Sequence, residues 1–421
     1  MYRAVQTRDT GKRYCWAAPR GHAKSTVMSL AVPLWWICEG HKRFIVLVAD
    51  TSHQAEMFLQ AIIEELERNE LLIEDYGPFI KPLMDNKGQP VAWRDREIVT
   101  ADCTVAAFGA GKAIRGVKKG EHRPDAVVVD DLENDEHVRT VEQRDKLDNW
   151  FLRALMNLGD IDTDIFVVGT VLHHDSVLAR RLKDPAWQSH TWAAIDEAGA
   201  ALWPDKWSLD ALRDKQHEIG SIAFSCEYMN DPTALGAGVF KDPWFRYYDS
   251  VPEGLPKYAG VDLAISKKEH ADETAVVKVA TDGERIYVID AVSDRLSFRE
   301  SEALVMGRCD DCTVVAIEST AYQVAMAEEL LRNSRLPIRE VHPTKDKVTR
   351  AIQLSAHVEA GRVLFDRYRH TELIRQMLDF PRGAHDDLVD ALGYAVELAL
   401  EGNSFQASSL SGQGYRTPDR F

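Results

Sequence analysis

The sequence predicts an α/β chain in which a doubly wound parallel sheet is followed by a second α/β unit. The apolar segment Tyr14-Cys15-Trp16-Ala17 leads through a short loop, Ala18 to Thr26, into an apolar helix-like run, Val27 to Cys38. Continuous apolar runs such as Arg43 to Ala49, expected of strands buried on both faces, then alternate with helical patterns. Beyond a looser stretch, strand-like segments resume at Tyr258, and an amphipathic helical pattern runs from about Asp386 to Leu400.

At 421 residues the chain is long enough for two separate cores. In the first half, Asp50-Thr51-Ser52 is placed to cap a helix carrying Ala55, Phe58, Leu59, Ile62 and Leu66 on one side. Further strands are predicted at Ala126 to Val129 and Asp164 to Val168, and such a sheet binds its ligands at the C-terminal ends of its strands. The second unit opens with strands at Tyr258 to Leu263, Thr274 to Ala280 and Arg285 to Ile289. Asp282-Gly283 marks a hairpin between the last two, and Val314 to Ile317 is a further strand. The expected division is 1–200 for the first domain, 201–250 for a linker, 251–400 for the second domain, and 401–421 for a disordered Ser-, Gly- and Gln-rich tail.

Composition narrows the class. The 45% hydrophobic and 28% charged content is that of a globular protein, and Val27 to Cys38, which contains Pro33, is too short to span a bilayer. With no signal-peptide pattern at the start, an intracellular protein is expected. Cys309-Asp-Asp-Cys312 has no second pair or close His to complete a zinc site, so the six cysteines are expected as reduced thiols. The net charge of −16 argues against nonspecific coating of nucleic acid but leaves room for a local basic groove.

Ala18-Pro-Arg-Gly-His-Ala-Lys-Ser-Thr26 has the spacing of a phosphate cradle. Arg20, Gly21, His22 and Ala23 form the loop, Lys24 reaches the outer phosphates, Ser25 can ligate Mg²⁺, and Thr26 opens the helix. Ala18 and Ala23 stand where the usual pattern has glycine, leaving only Gly21 to relax the turn. Val127-Val128-Val129-Asp130-Asp131 is an apolar strand ending in two acids. Asp130 suits a metal-associated carboxylate and Asp131 a water-activating one, with Glu133 as the alternative. Thr170, after the strand ending Val168-Gly169, is placed to sense a γ-phosphate. In the glycine-rich segment Gly109 to Gly116, Arg115 is either an arginine finger or a solvated side chain. In His173-His174-Asp175, Asp175 is expected to cap a helix.

The second half carries its own acids. Asp262 interrupts an apolar strand, where burial without a partner would cost several kcal/mol. Glu318 ends a later strand, Asp386 and Asp387 open the last helix with Asp390 one turn on, and Asp272 is a candidate accessory ligand. Strand Asp, strand Glu and helix Asp, in that order, are the carboxylate set of a ribonuclease-H-like two-metal nuclease. Lys345, Lys347 and Arg350, with Arg362, Arg367 and Arg369 beyond, give a local basic density suited to a DNA backbone.

Together these motifs resemble the large terminase subunit of tailed bacteriophages, over nearly the whole chain. The resemblance is carried by Pro19 to Thr26, Arg123 to Asp131, Gly169-Thr170, Tyr228-Met-Asn-Asp-Pro232, Asp262, Ile317-Glu318 and His385-Asp-Asp-Leu-Val-Asp390. It implies a P-loop NTPase domain followed by a ribonuclease-H-like nuclease domain. It also implies ATP with Mg²⁺, Mn²⁺ being possible at the nuclease site, and ATP-driven translocation of double-stranded DNA with metal-dependent cutting of concatemers. The implied partners are the portal protein, a small terminase subunit and further copies in a ring, acting in the host cell cytoplasm rather than in the mature virion. Arg20 matches a basic residue that such loops carry, and Arg115 matches a trans-acting arginine. Family members hold adenine with a segment ahead of the first strand. This chain has little there, so the resemblance implies a domain lacking part of that segment, or an adenine contact supplied from elsewhere. The alternative functions are a helicase–nuclease of DNA repair and a non-catalytic nucleotide-site scaffold.

Overall fold

The computed structural model describes residues 5, 10–94, 96–114, 116–118, 121–232, 238–263, 273–318, 334–342, 346–383 and 385–411, without the side chains of residues 78, 79, 135 and 403–411. The chain divides into two compact units, residues 1–213 with 224–233, and residues 214–223 with 234–421. No helix among the described residues is long and apolar enough to cross a membrane.

The first unit is an eight-stranded sheet. Its strands are β1 Arg13–Ala17, β2 Phe44–Ala49, β3 Trp93–Arg94, β4 Glu97–Val99, β5 Thr104–Gly109, β6 Ala126–Asp130, β7 Asp164–Gly169 and β8 Gln188–Thr191. They lie in the order β3-β4-β5-β2-β6-β7-β1-β8. Every pair from β5 to β8 is parallel, and only the β3–β4–β5 edge is antiparallel. Strand β2 shows why its apolar run is unbroken. Ile45, Leu47 and Ala49 face one core, with Trp36, Leu59 and Ile62, while Phe44, Val46 and Val48 face another, with Leu147, Phe151 and Leu178.

Helices cover both faces. The run after the loop is a π-helical turn, Thr26–Ala31, continuing as α1 Val32–Cys38, rather than one regular helix. Next come α2 Ser52–Arg68, α3 Glu70–Ile80, α4 Asp135–Arg139, α5 Val141–Trp150 and α6 Val177–Lys183. Helix α2 buries Ala55, Leu59, Ile62, Ile63 and Leu66, and Thr51 caps it by accepting from the Gln54 N–H. The stretch expected as a linker contains a long helix, α7 Leu209–Met229, kinked at Gly220, where φ is +83°.

The second unit is a seven-stranded mixed sheet: β9 Arg246–Tyr247, β10 Lys257–Asp262, β11 Thr274–Thr281, β12 Ile286–Asp294, β13 Val314–Glu318, β14 Ile338–Val341 and β15 Val363–Phe365. The order is β14-β13-β10-β11-β12-β15-β9. Strands β10, β11 and β12 are antiparallel, with the expected turn at Asp282-Gly283, whereas β10 and β13 run parallel. Its helices are α8 Phe298–Arg308, α9 Lys347–Glu359, α10 Thr371–Asp379 and α11 Asp387–Ser411. Helix α11 runs well past the residue where the tail was expected to begin. Its packed face, Leu388 to Ala399, propagates helix into a segment whose composition alone does not favour a core.

One glycine fixes how closely α11 lies on the sheet. A Cβ on Gly260 of β10 would overlap the Ala391 carbonyl oxygen and crowd the Ala395 N–H. Gly393, on the same helix, faces open space. Gly260→Ala is therefore expected to destabilise the second unit by about 3 kcal/mol through overpacking. Gly393→Ala should stabilise it by about 1 kcal/mol through helix propensity. Denaturant unfolding of the two variants checks this, and a Gly260→Ala protein as stable as the parent would refute the close approach.

Candidate active sites

The loop after β1 is held from several sides. The Ala18 N–H donates to the Gly169 carbonyl at 3.0 Å, and the Arg20 N–H donates to the Glu227 carbonyl at 2.9 Å. The Arg20 guanidinium also lies 3.1 Å from the Glu227 carboxylate. Gly21 has φ +72°, and Ala23, standing where glycine is usual, has φ +59°. An L-residue held there is strained by roughly 1–2 kcal/mol. The turn thus keeps a glycine-like backbone without its glycine.

Lys24 is buried, with its ammonium 3.2 Å from an Asp131 oxygen. Asp131 follows directly on β6 and itself has φ +44°, with its N–H donating to the Val168 carbonyl. Asp130, the last residue of β6, is 1% exposed and accepts a 2.6 Å bond from the Ser29 hydroxyl. Burial, and then the neighbouring Asp131, push its carboxyl up to about 6, against hydrogen bonds from Ser29 and Ser25 and the charge of Lys24. Its other oxygen is buried with no hydrogen-bond partner. An orphaned carboxylate oxygen beside the Ser25 hydroxyl is a hard oxygen donor set, so the residues present fit a Mg²⁺ ion.

Thr170 donates to the Ala18 carbonyl at 3.4 Å, tying the end of β7 to the loop. Glu133 is engaged elsewhere. It accepts from the Val177 and Leu178 N–H groups at 2.6 and 3.0 Å, at the N-terminus of α6. Burial nevertheless raises its carboxyl, and those same bonds oppose the shift. Asp131 is thus the acid that meets Lys24. Asp175 does not cap α6, as was expected. Ser176 does, because its short hydroxyl reaches the Ala179 N–H, leaving Asp175 to pair with Arg144 and Arg180.

In the second unit, Asp262 ends β10 and Glu318 ends β13. The strands are parallel neighbours in register at Val261 and Ile317, so the two acids emerge side by side. Asp387 and Asp390, on the first turn of α11, are both buried. Burial, and then the charges of Asp390 and Asp387, hold the Asp262 carboxyl well above its usual range; Lys347 opposes this and Glu318 adds to it. The Lys347 ammonium lies 2.6 Å from Asp386 and 2.5 Å from Asp390, and Arg350 lies 2.7 Å from Asp390. Burial alone would lower the Lys347 ammonium, but Asp390 and Asp386 outweigh it and raise it. Tyr394 donates a 2.6 Å hydrogen bond to Glu318 beneath the Arg350 guanidinium. Asp262, Glu318, Asp386, Asp387 and Asp390 therefore face two cationic side chains. Such an oxygen-rich, under-neutralised set fits divalent hard cations. Ligand atoms of Glu273, His385 and Asp387 also lie within 4.8 Å of one another.

Residues 259–398 match the terminase RNaseH-like domain family. The chain as a whole is folded like a phage large terminase. The large terminase of a thermophilic bacteriophage superposes with a TM-score of 0.57 at 10% identity, over 94% of this chain and 96% of that one. A second crystal form of it gives 0.56 at 11% identity, over 93% and 94%. The same protein in complex with ADP gives 0.55 at 10% identity, over 92% and 94%. No curated protein matches the chain in sequence.

Within residues 259–398, the structure gathers Asp262, Glu318, Asp386 and Asp387 around one end of the sheet and adds Asp390 and Tyr394. Asp390 was legible as the residue one helical turn beyond Asp386. Tyr394 reads in sequence only as a core aromatic. Lys347 and Arg350, expected at a DNA backbone, point at the carboxylates. In the first unit the residue that the motifs left without a role is Asn230. Its side chain accepts from the Val171 N–H and donates to the Trp192 carbonyl, each at 2.9 Å, bracing the ends of β7 and β8. Arg115, Asp272 and Lys345 lie outside the described residues.

Asp130 gives a prediction with a defined sign. An acid raised from 3.8 to about 6 contributes stability fully present below 3.8 and lost as pH rises through 6. In metal-free protein that loss amounts to about 3 kcal/mol by neutral pH. Asp130→Asn should therefore raise the thermal midpoint at pH 7.5 in chelator, with the gain shrinking toward pH 4.5. A gain that does not depend on pH would contradict the assignment.

Proposed function

We propose that this chain is an ATP-driven motor and nuclease for packaging phage DNA. The observation that carries this reading is the presence in one chain of two separate strand-end sites. One is a lysine–carboxylate phosphate cradle, and the other is the five-carboxylate site of a terminase RNaseH-like domain. The large terminase of the thermophilic phage, crystallised in complex with ADP, supports an adenine nucleotide as ligand of the first site.

Bound Mg²⁺, or Mn²⁺ at the nuclease site, supplies Lewis-acid stabilisation of the charge that develops on phosphoryl oxygens. The remaining work falls to the protein. Backbone N–H groups from Ala23 to Ser25 would cradle the phosphates, and Lys24 would meet the outermost ones. Phosphate oxygens taking over Lys24 free Asp131 to orient the attacking water and accept its proton. Asp130 and Ser25 would hold the cation, and Thr170 would report the γ-phosphate to β7. In the second site, Asp262, Glu318, Asp387 and Asp386 would hold the cations, with Asp390 positioned by Lys347 and Arg350. The proposed partners are double-stranded DNA, a portal protein and a small terminase subunit. Copies of the chain would form a ring on the portal in the host cytoplasm, with Arg115 reaching a neighbour's nucleotide.

Separate substitutions test the two-site reading. Lys24→Ala should lower DNA-stimulated ATP hydrolysis on the order of 100-fold while plasmid cutting in Mn²⁺ persists. Asp262→Ala should do the reverse. If either substitution abolished both activities in folded protein, the assignment of two independent sites would fail.

A further inference from the structure

The geometry fixes which way a nucleotide would lie in the cradle. Its outer phosphates belong with Lys24, and Lys24 faces the acids at the end of β6. In the sheet, β6 and β7 lie on one side of β1, and the edge strand β8 lies on the other. A nucleotide with its terminal phosphate toward β6 would run its nucleoside toward β8, on the other side of β1.

The chain leaving β8 builds an aromatic surface at that place. Segment 194–202 is pinned by the Ala194 N–H to the Tyr228 carbonyl and by the Leu202 N–H to the Ala194 carbonyl. The Trp207 indole then donates to the Gly21 carbonyl at 3.2 Å, within the phosphate loop itself. The His22 ring lies nearly parallel to Trp207, with centroids 6.1 Å apart and an interplanar angle of 13°, and 6.5 Å from Trp203. Trp203 is 36% exposed, with the Lys206 ammonium 5.0 Å from its ring centroid. Trp203 thus presents an aromatic face with a cation beside it at the rim of the phosphate loop.

His22 adds a second, independent observation. Its Nδ1 lies 2.9 Å from the Arg20 carbonyl, which can only accept, so Nδ1 carries the proton. Nε2 is then a lone-pair acceptor, and it is buried in the aromatic cluster with no hydrogen-bond partner. An acceptor left unsatisfied there suits the exocyclic amino group of a base.

We propose that Trp203, Trp207 and His22 form the platform on which the purine base of the bound nucleoside triphosphate stacks. This rests on the reading of Lys24 as a phosphate ligand. The platform would supply from the C-terminal side of the sheet the base contact that the sequence motifs leave unassigned.

Isothermal titration of the full chain with Mg²⁺ and either ATP or inorganic tripolyphosphate separates the two ideas, since tripolyphosphate has no base. Trp203→Ala is expected to weaken ATP binding about tenfold, as loss of one stacking surface should. Trp203→Phe should restore most of it, and tripolyphosphate should bind all three proteins alike. Lys24→Ala should lose both ligands. ATP affinity within twofold of the parent in Trp203→Ala would overturn the platform and leave the phosphate cradle standing. Equal weakening of ATP and tripolyphosphate would make Trp203 a support for the loop, also overturning the platform. A parent protein that binds neither ligand would overturn the nucleotide reading and the platform together.

Discussion

Like charges held close together at the ends of buried strands are the constraint on which both sites depend. A carboxylate at the end of an interior strand loses water on its sheet side and meets whatever its neighbouring strands present. In the first unit, Asp130 loses its hydration inside the sheet and lies next to a second acid; Ser29, Ser25 and Lys24 compensate only in part. In the second unit, Asp262 lies among Asp390, Asp387 and Glu318, with Lys347 as the counter-charge. Each arrangement is worse for the metal-free fold than an apolar substitute would be. Their common feature is a deficit of positive charge, which a divalent cation bound between oxygens would correct. Stability is given up where binding needs it.

Backbone geometry holds these charges in place. Helix α11 can bring Asp387 and Asp390 to the strand ends only because Gly260 lets its backbone lie against β10. In the first unit the work is done by strain instead of space. Ala23 and Asp131, on the two segments that Lys24 and its partner join, both take positive φ without being glycine. Residues in that region persist only where their surroundings over-determine them, and such positions gather at ligand sites. The ion pair between Lys24 and Asp131, and the hydrogen bond from Asp131 to Val168, are part of that surrounding.

The legible parts of the sequence were those where one physical requirement dominates. Double-sided burial makes β2 and β6 continuous apolar runs, and strand ends bearing acids stand out against them. The order strand Asp, strand Glu, helix Asp was readable for the same reason. Residues whose role comes from distant partners were not readable. Tyr394 has the spacing of a core residue and becomes polar in function only because Glu318 ends a neighbouring strand. Lys347 and Arg350 read as a basic helix start, and nothing local shows that their partners lie far along the chain, in Asp386 and Asp390. In sequence Asp131 was the choice and Glu133 the alternative. They part in space because α6 begins where its N–H groups take Glu133. The helix beyond Glu401 is hidden because composition reports what a segment can bury, whereas helix already nucleated on a packed face needs little more.

The phosphate loop is not self-supporting, and this shapes how any nucleotide could act on the unit. Gly21 is held through its carbonyl by Trp207, Arg20 through its N–H and guanidinium by Glu227, and Ala18 by Gly169 and Thr170. Glu227 and Asn230 belong to one segment, and Asn230 in turn bridges the chain after β7 and the chain after β8. A ligand that shifts the loop by even a fraction of an ångström must therefore break or drag contacts from three separate stretches of chain. Hydrogen bonds tolerate little change in length or angle, so the shift passes to those stretches instead of being absorbed locally. The glycines missing at positions 18 and 23 point the same way. A loop with more glycine could relax around a ligand alone, whereas this one, strained at Ala23 and pinned at both ends, moves with its neighbours or not at all.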